Sequence, residues 1–321
     1  MSRPLPAWVP PLRDGVSASR VAVSGGPWPS LLDFLRARMP AVADWPARLA
    51  RGDVLDASGQ HLHEAAPARN GAVVWYWRCP PPEPRVPFEL ELLHQDEHLV
   101  VVDKPHFLAV TPGGRHLQET VLVRLKRQLG IDTLAPMHRL DLDTAGVLLF
   151  TVQPATRNAY NALLRDRLAH KVYEAVACWR PELALPLTCR HRLAQPPEAN
   201  FMQTQVVAGE PNAQTLVELI ARLGPPPASA PELALELAHY RLTPLTGRKH
   251  QLRAQLNALG LPIVGDRIYP VLWPEPAADA APDYSQPLQL LAREFAFTDP
   301  LSGQPRRFVS RRQLQLAVAR P

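Results

Sequence analysis

Residues 136–146 read PMHRLDLDTAG. His138 and Arg139 precede two carboxylates, Asp141 and Asp143. The small residues Thr144-Ala145-Gly146 then lead into the apolar run Val147-Leu148-Leu149-Phe150. Charge set directly against a buried-strand run is either a solvated turn, where acids and glycine are common, or a place where one acid does chemistry. A metal site would use His138, Asp141 and Asp143. Arg139 would repel the cation, and no second His/Asp cluster of suitable spacing exists. A glycosidase-type acid/base pair would use both carboxylates, ~6–7 Å apart along an extended segment. The sequence offers no sugar-binding aromatics for it.

A second segment, TGRKHQLRAQLNALG (Thr246–Gly260), concentrates positive charge. Its spacing predicts a helix capped by Thr246 and ended by Gly260, with Leu252, Leu256 and Leu259 on one apolar stripe. His250, Arg253 and Asn257 fall on another face. Arg248 and Lys249 fall in the first turn, where the helix dipole disfavours cations. Either this is a solvated basic face, or Arg248 and Lys249 meet phosphates while Arg253 meets an acid within the fold. Tyr173, in KVYEA, sits alone on one face of a strand. A lone tyrosine in a strand is most often packing.

These segments need elements to hold them. Residues 1–28 read as extended. A helix is predicted over Ser30–Pro40 and a short one after Trp45, followed by a strand-turn-strand around Ser58-Gly59. A strand is predicted at Ala72–Arg78. The run Cys79-Pro80-Pro81-Pro82-Glu83-Pro84 reads as a linker. Beyond it come a strand, a turn at 95–97 and a second strand, Leu99–Asp103. An amphipathic helix follows at Gln118–Gly130, then a strand at 146–151, a helix at Pro154–Ala169 and the KVYEAVACW strand. Further strands are predicted at Gln203–Val207, Thr215–Ile220 and ELALELAHYRL, with loops at Gly224–Pro231 and Pro274–Pro287. Leu288–Thr298 and Arg307–Val309 complete the sheet. Strands outnumber helices and often follow one another directly. The expectation is an α+β protein with a mixed, largely antiparallel central sheet and flanking helices, preceded by a small N-terminal α/β segment. The predicted division is 1–85 and 86–321.

The 321 residues suffice for a sizeable core. Lys plus Arg is 35 against 30 for Asp plus Glu, and the resulting +5 suits a polyanionic partner. Nearly all of that charge is arginine, because only Lys104, Lys126, Lys171 and Lys249 are lysines. Arginine suits phosphate and base recognition. Cys79, Cys178 and Cys189 are odd in number and lack CxxC spacing, so a disulfide framework and a zinc site are not expected. No signal-peptide core or bilayer-spanning run appears, and a cytoplasmic protein is the expectation.

Taken together, the segments resemble the RluA-type family of RNA pseudouridine synthases. His138-Arg139-Leu140-Asp141-Leu142-Asp143-Thr144-Ala145-Gly146 matches the family's central motif. Asp96–Gly114, Lys171–Ala175 and Thr246–Tyr269 resemble its other motifs, in the right order over residues 88–310. Lys249 stands where threonine is common, Gln255 and Leu291 where histidine is. Residues 30–78 look distantly like an S4 RNA-binding module. The resemblance implies the pseudouridine synthase fold and isomerisation of uridine in ribosomal or transfer RNA, with no cofactor and no metal. It implies Asp141 as nucleophile, Arg253 as its partner and Tyr173 stacked on the uracil. His138, Arg139, Thr144, Arg248, Lys249 and His250 would be substrate-binding, and Asp143 a turn residue. RNA is the expected partner, the chain acting as a monomer with no membrane. The alternatives are a catalytically silent RNA-binding module on the same fold, and a metallohydrolase.

Overall fold

The runs that read as buried strands become interior strands of a sheet. A computed structural model describes residues 8–40, 42, 44–78, 83–195, 202–225, 236–274 and 280–318. Its contacts divide into two units. Met1–Glu83 goes with Thr111–Asp132, and Pro84–Val110 goes with Thr133–Pro321. A single cut in the chain does not describe this division, because the excursion 111–132 packs with the first unit. The proline run lies largely outside the described residues.

The first unit holds β1 (Ser19–Ala22), α1 (Leu31–Arg38), α2 (Trp45–Ala50), β2 (Val54–Leu55), β3 (Val73–Tyr76) and, from the excursion, α3 (Val121–Leu129). The strands form an antiparallel sheet in the order β1-β3-β2. Helix α1 starts where the Ser30 side chain accepts from the Asp33 N–H, and it buries Leu31, Phe34 and Leu35 against Trp45, Leu49, Val54 and Val74. Thr120 caps α3 in the same way, and Gly130, with φ of 67°, ends it. The Glu83 carboxylate accepts from the N–H groups of Leu117, Gln118 and Glu119.

The second unit contains β4 (Glu91–Gln95), β5 (Leu99–Lys104), β6 (Ala135–Pro136), β7 (Ala145–Thr151), α4 (Arg157–Arg165), β8 (His170–Cys178), β9 (Leu187–Ala194), β10 (Gln205–Val207), β11 (Ala213–Gly224), β12 (Leu237–Pro244), α5 (Gln251–Ala258), β13 (Leu290–Thr298) and β14 (Pro305–Val309). Among the described residues they make one eleven-stranded sheet, ordered β10-β9-β11-β12-β8-β13-β7-β5-β4, with β14 on β13 and β6 on β7. Every pairing is antiparallel except β13 with β7. Strands β5 and β7 are buried along their whole length, as continuous apolar runs in a sheet interior should be.

Gly146 shows why the central motif ends as it does. Its φ is 112°, and a Cβ there would lie 2.2 Å from the Ala292 carbonyl oxygen on β13. Only glycine lets β7 begin against β13 at this point. Strand β9 was not expected from the sequence. Its segment LTCRHRLA alternates inward Cys189 and Leu193 with exposed Arg190 and Arg192, and the arginines obscure the apolar period.

The largest departure is α5. It begins at Gln251, five residues after the expected cap, and His250 before it is left-handed with φ of 52°. Gln251 is the cause. Its Oε1 accepts from the Arg248 N–H (3.1 Å) and the Thr246 hydroxyl (2.7 Å). Its Nε2 donates to the Gln214 carbonyl and the Thr215 hydroxyl. Residues 246–250 are therefore folded as a loop around a buried amide. Arg248 and Lys249 precede the helix and do not sit in its first turn. Nor does the helix keep a solvated basic face, for Arg253 and Gln255 are as buried as Leu252 and Leu256.

Candidate active site

The second unit carries a cleft of about 1250 Å³ at the end of the sheet where β7 starts. All nine residues singled out in the sequence line it. Four pieces of the chain bring them there. The loop between β6 and β7 carries His138, Arg139, Asp141 and Thr144. Strand β8 carries Tyr173, whose register partner on β13 is Ala292, next to the Gly146 contact. The 246–250 loop and α5 supply the rest.

Asp141 and Arg253 meet in the cleft. The Arg253 Nη1 donates to Asp141 Oδ2 at 2.9 Å. The Asp141 side chain keeps 31% of its exposure, while Arg253 keeps 2%. The arginine is fixed from behind. Its Nε and Nη2 donate to the two oxygens of Asp266, at 2.8 and 2.6 Å, and the Asp266 side chain is fully buried. Asp266 Oδ1 also accepts from the N–H groups of Ile268 and Tyr269. Burial opposes the guanidinium's charge, yet Asp266 and Asp141 more than offset this and its pKa is raised. The result is a fork-shaped cation with one arm locked in the core and one presented to an accessible carboxylate.

The other residues are less uniform. Burial, and then the nearby Asp141, push the Tyr173 phenol well above its usual range, so it stays protonated. Thr144 is buried, and its N–H donates to the Asp141 carbonyl, closing the turn that holds the carboxylate. His250 Nε2 lies 3.9 Å from Asp141 Oδ1, but burial lowers its pKa and disfavours an ion pair. Arg139, Arg248 and Lys249 are exposed at the cleft. Arg248 Nε donates to the Asn212 carbonyl.

His138 has a different surrounding from the other cleft residues. Its ring stacks on Phe295, with centroids 4.9 Å apart, and its Nε2 accepts from the Leu149 N–H. Burial, then the Lys171 charge, pull it down to about 3. His106 is held down at about 4, again chiefly by burial, while its Nδ1 meets the Asp143 carbonyl oxygen at 2.6 Å. Both rings are thus neutral in the folded chain. The unfolded chain takes up their protons near pH 6.5, so stability is lost as pH falls from about 6.5 toward 4, by up to ~1.4 kcal/mol per pH unit for each histidine. Denaturant titrations at pH 7 and pH 5 check this. His138→Gln should make the loss shallower, whereas equal losses in the two proteins would contradict the assignment.

Two residues outside the expected set shape the site. Asp266 is one. The other is Lys104, which is fully buried at the end of β5. Its ammonium donates to the carbonyls of Pro105 (2.9 Å), Leu108 (2.8 Å) and Leu142 (2.9 Å). Leu142 lies between the two acids, so the lysine ties the loop between β6 and β7 to β5. Burial pulls Lys104 down to about 7, against Asp143 and Asp141, which favour its charge. Asp143 lies in a turn, as expected, but is only partly exposed. Burial pushes its carboxyl up, against Arg253, Lys104 and Arg267. Among the described residues, no three His, Cys, Asp or Glu side chains come together as a metal ion would need. No helix among them is long and apolar enough to cross a membrane.

Residues 98–258 match the family model for RNA pseudouridylate synthase. An uncharacterized RNA pseudouridine synthase of Synechocystis is 33% identical over 229 residues, which are 70% of this chain and 73% of that protein. The dual-specificity RNA pseudouridine synthase RluA of Haemophilus influenzae is 33% identical over 236 residues, 71% of this chain and 94% of that one. Among solved structures, human RNA pseudouridylate synthase domain containing 1 superposes with a TM-score of 0.54 at 20% identity, covering 72% of this chain and 86% of that one. That likeness is one of fold.

Proposed function

The chain belongs to the RluA-type family of RNA pseudouridine synthases, and from that premise we propose that it isomerises uridines of ribosomal or transfer RNA with Asp141 as the nucleophile. The observation that carries this reading is the Asp141–Arg253–Asp266 arrangement. Reaction at C1′ of the ribose or C6 of the base needs an ionised carboxylate that substrate can reach. Asp141 is accessible, and Arg253 holds it by one arm because Asp266 occupies the other two nitrogens. The N1–C1′ bond breaks, a C5–C1′ bond forms, C5 loses its proton and N1 gains one, so nothing is added or removed. Tyr173 stacks on the uracil, which must leave the RNA helix to reach the cleft. The name of the Haemophilus relative, dual-specificity, favours more than one RNA target. We place RNA-holding surface also on the first unit, where α1 exposes Arg36 and Arg38.

Arg139, Arg248 and Lys249 are proposed to meet phosphates. Each neutralised phosphate adds about −0.7 to −0.9 to the slope of log K against log salt. The double variant Arg248→Ala, Lys249→Ala should therefore flatten that slope by roughly 1.4 to 1.8. An unchanged slope in an RNA-binding titration would return both residues to a solvated face. The target itself is found by comparing pseudouridine maps of ribosomal and transfer RNA from a parent and a deletion strain. Loss of one or a few pseudouridines is expected, and identical maps would contradict the reading.

A further inference from the structure

Arg267 and Trp273 form a stack that the uracil cleft does not use, since neither residue lines it. The Arg267 guanidinium carbon lies 5.7 Å from the Phe107 ring centre and 5.9 Å from that of Trp273. Phe107 is buried and meets Tyr284 edge-on at 5.2 Å. Trp273 is 47% exposed. The order from inside to outside is thus buried aromatic, cation, exposed indole.

The indole is held in place by its backbone. The Trp273 N–H donates to the Arg267 carbonyl at 2.9 Å, and Leu272 packs inward beside Ala254 and Tyr269. Arg267 Nη2 is fixed on the Asp283 carbonyl. The segment starts at Asp266, the residue that locks Arg253. The stack also borders the catalytic loop: His106, next to Phe107, contacts the Asp143 carbonyl, and the Arg267 charge acts on the Asp143 carboxyl.

We propose that Trp273, backed by Arg267, is a stacking platform for one unpaired RNA base next to the target uridine. This rests on the RNA-modifying reading above. Turning a uridine out of its helix strips its neighbours of a stacking partner. An exposed indole with a fixed cation behind it covers such a base face whatever the base. The guanidinium adds positive charge beside the adjoining phosphate, and the chain's net +5 favours a nucleic acid over an acidic-surface-free protein partner.

The test is fluorescence anisotropy at one fixed salt concentration, with a labelled uridine-containing RNA hairpin and a labelled blunt RNA duplex. Trp273→Ala should weaken hairpin binding about 5- to 100-fold and leave duplex binding unchanged. Trp273→Leu keeps apolar bulk without an aromatic face and should lose as much, while Trp273→Phe should recover most of the affinity. Unchanged hairpin affinity, an equal loss on hairpin and duplex, or a leucine variant that binds like phenylalanine would each overturn the platform. A parent protein that binds neither RNA would overturn the RNA-modifying reading, and the platform with it.

Discussion

Asp141→Asn is expected to abolish turnover while RNA binding persists. The amide matches the carboxylate in size, so Arg253 keeps a hydrogen-bond acceptor at the position that Oδ2 occupies, 2.9 Å away. What disappears is the nucleophile, because an amide oxygen does not form the covalent intermediate. Loss of a nucleophile commonly costs more than about a thousandfold in rate. Binding should hold or tighten slightly, since a negative charge facing the RNA is gone. Asp143→Asn is the contrast. Burial already favours the neutral form of that carboxyl, and its backbone carbonyl, which meets His106, survives the change. Activity within a few-fold of the parent is expected, with about 1 kcal/mol of stability lost at most. Single-turnover rates on one RNA, with thermal melts as a folding check, compare the two variants. An inactive Asp143→Asn beside an active Asp141→Asn would reverse the assignment.

Arg253→Met should damage both folding and catalysis. Among the described residues, it leaves the fully buried Asp266 side chain with hydrogen bonds from the Ile268 and Tyr269 N–H groups alone. Breaking a buried ion pair from one side costs about 3–5 kcal/mol, or roughly 6–20 °C of melting temperature for a unit of this size. Asp141 loses the arm that aims it, so the rate should fall even at a temperature where the variant is folded. Arg253→Lys sharpens the test. It keeps a positive charge but cannot serve both carboxylates in fork geometry, and it should regain stability more than rate. A methionine variant that melts like the parent would show that Asp266 does not depend on the arginine.

Much of this was legible in the sequence because the signals are local. Gly130 closes α3 as a terminator should, although the helix begins at Val121 and not at Gln118. The fully apolar runs at 99–102 and 147–150, rich in valine, read as interior strands. The motif residues are adjacent in sequence, so the β6–β7 loop delivers them together. The rest depends on contacts that spacing does not carry. Asp266 stands in a loop, 13 residues from Arg253, and only the folded chain shows that its carboxylate occupies the arginine's other nitrogens. Lys104 follows the predicted strand Leu99–Asp103, and nothing in its spacing shows that it meets three carbonyls in the core. Thr246 looks like a cap, but α5 starts at Gln251. Gln251, whose side chain folds back over the preceding loop, takes the Arg248 N–H instead. Propensity says nothing of a glutamine's tertiary partners, and here they decided where the helix begins.

The most direct measurement of the central claim is release of tritium from RNA labelled at C5 of uridine. Forming the C5–C1′ bond requires C5 to give up its hydrogen, so release reports the isomerisation itself. Ribosomal and transfer RNA transcripts lacking modification would be incubated with excess parent protein, and in parallel with Asp141→Asn. The expected result is release by the parent that stops at a stoichiometric plateau, one or a few uridines per RNA, and no release by the variant above the protein-free rate. Release that continues in Asp141→Asn at the parent's rate, or no release by the parent from either RNA, would contradict the account.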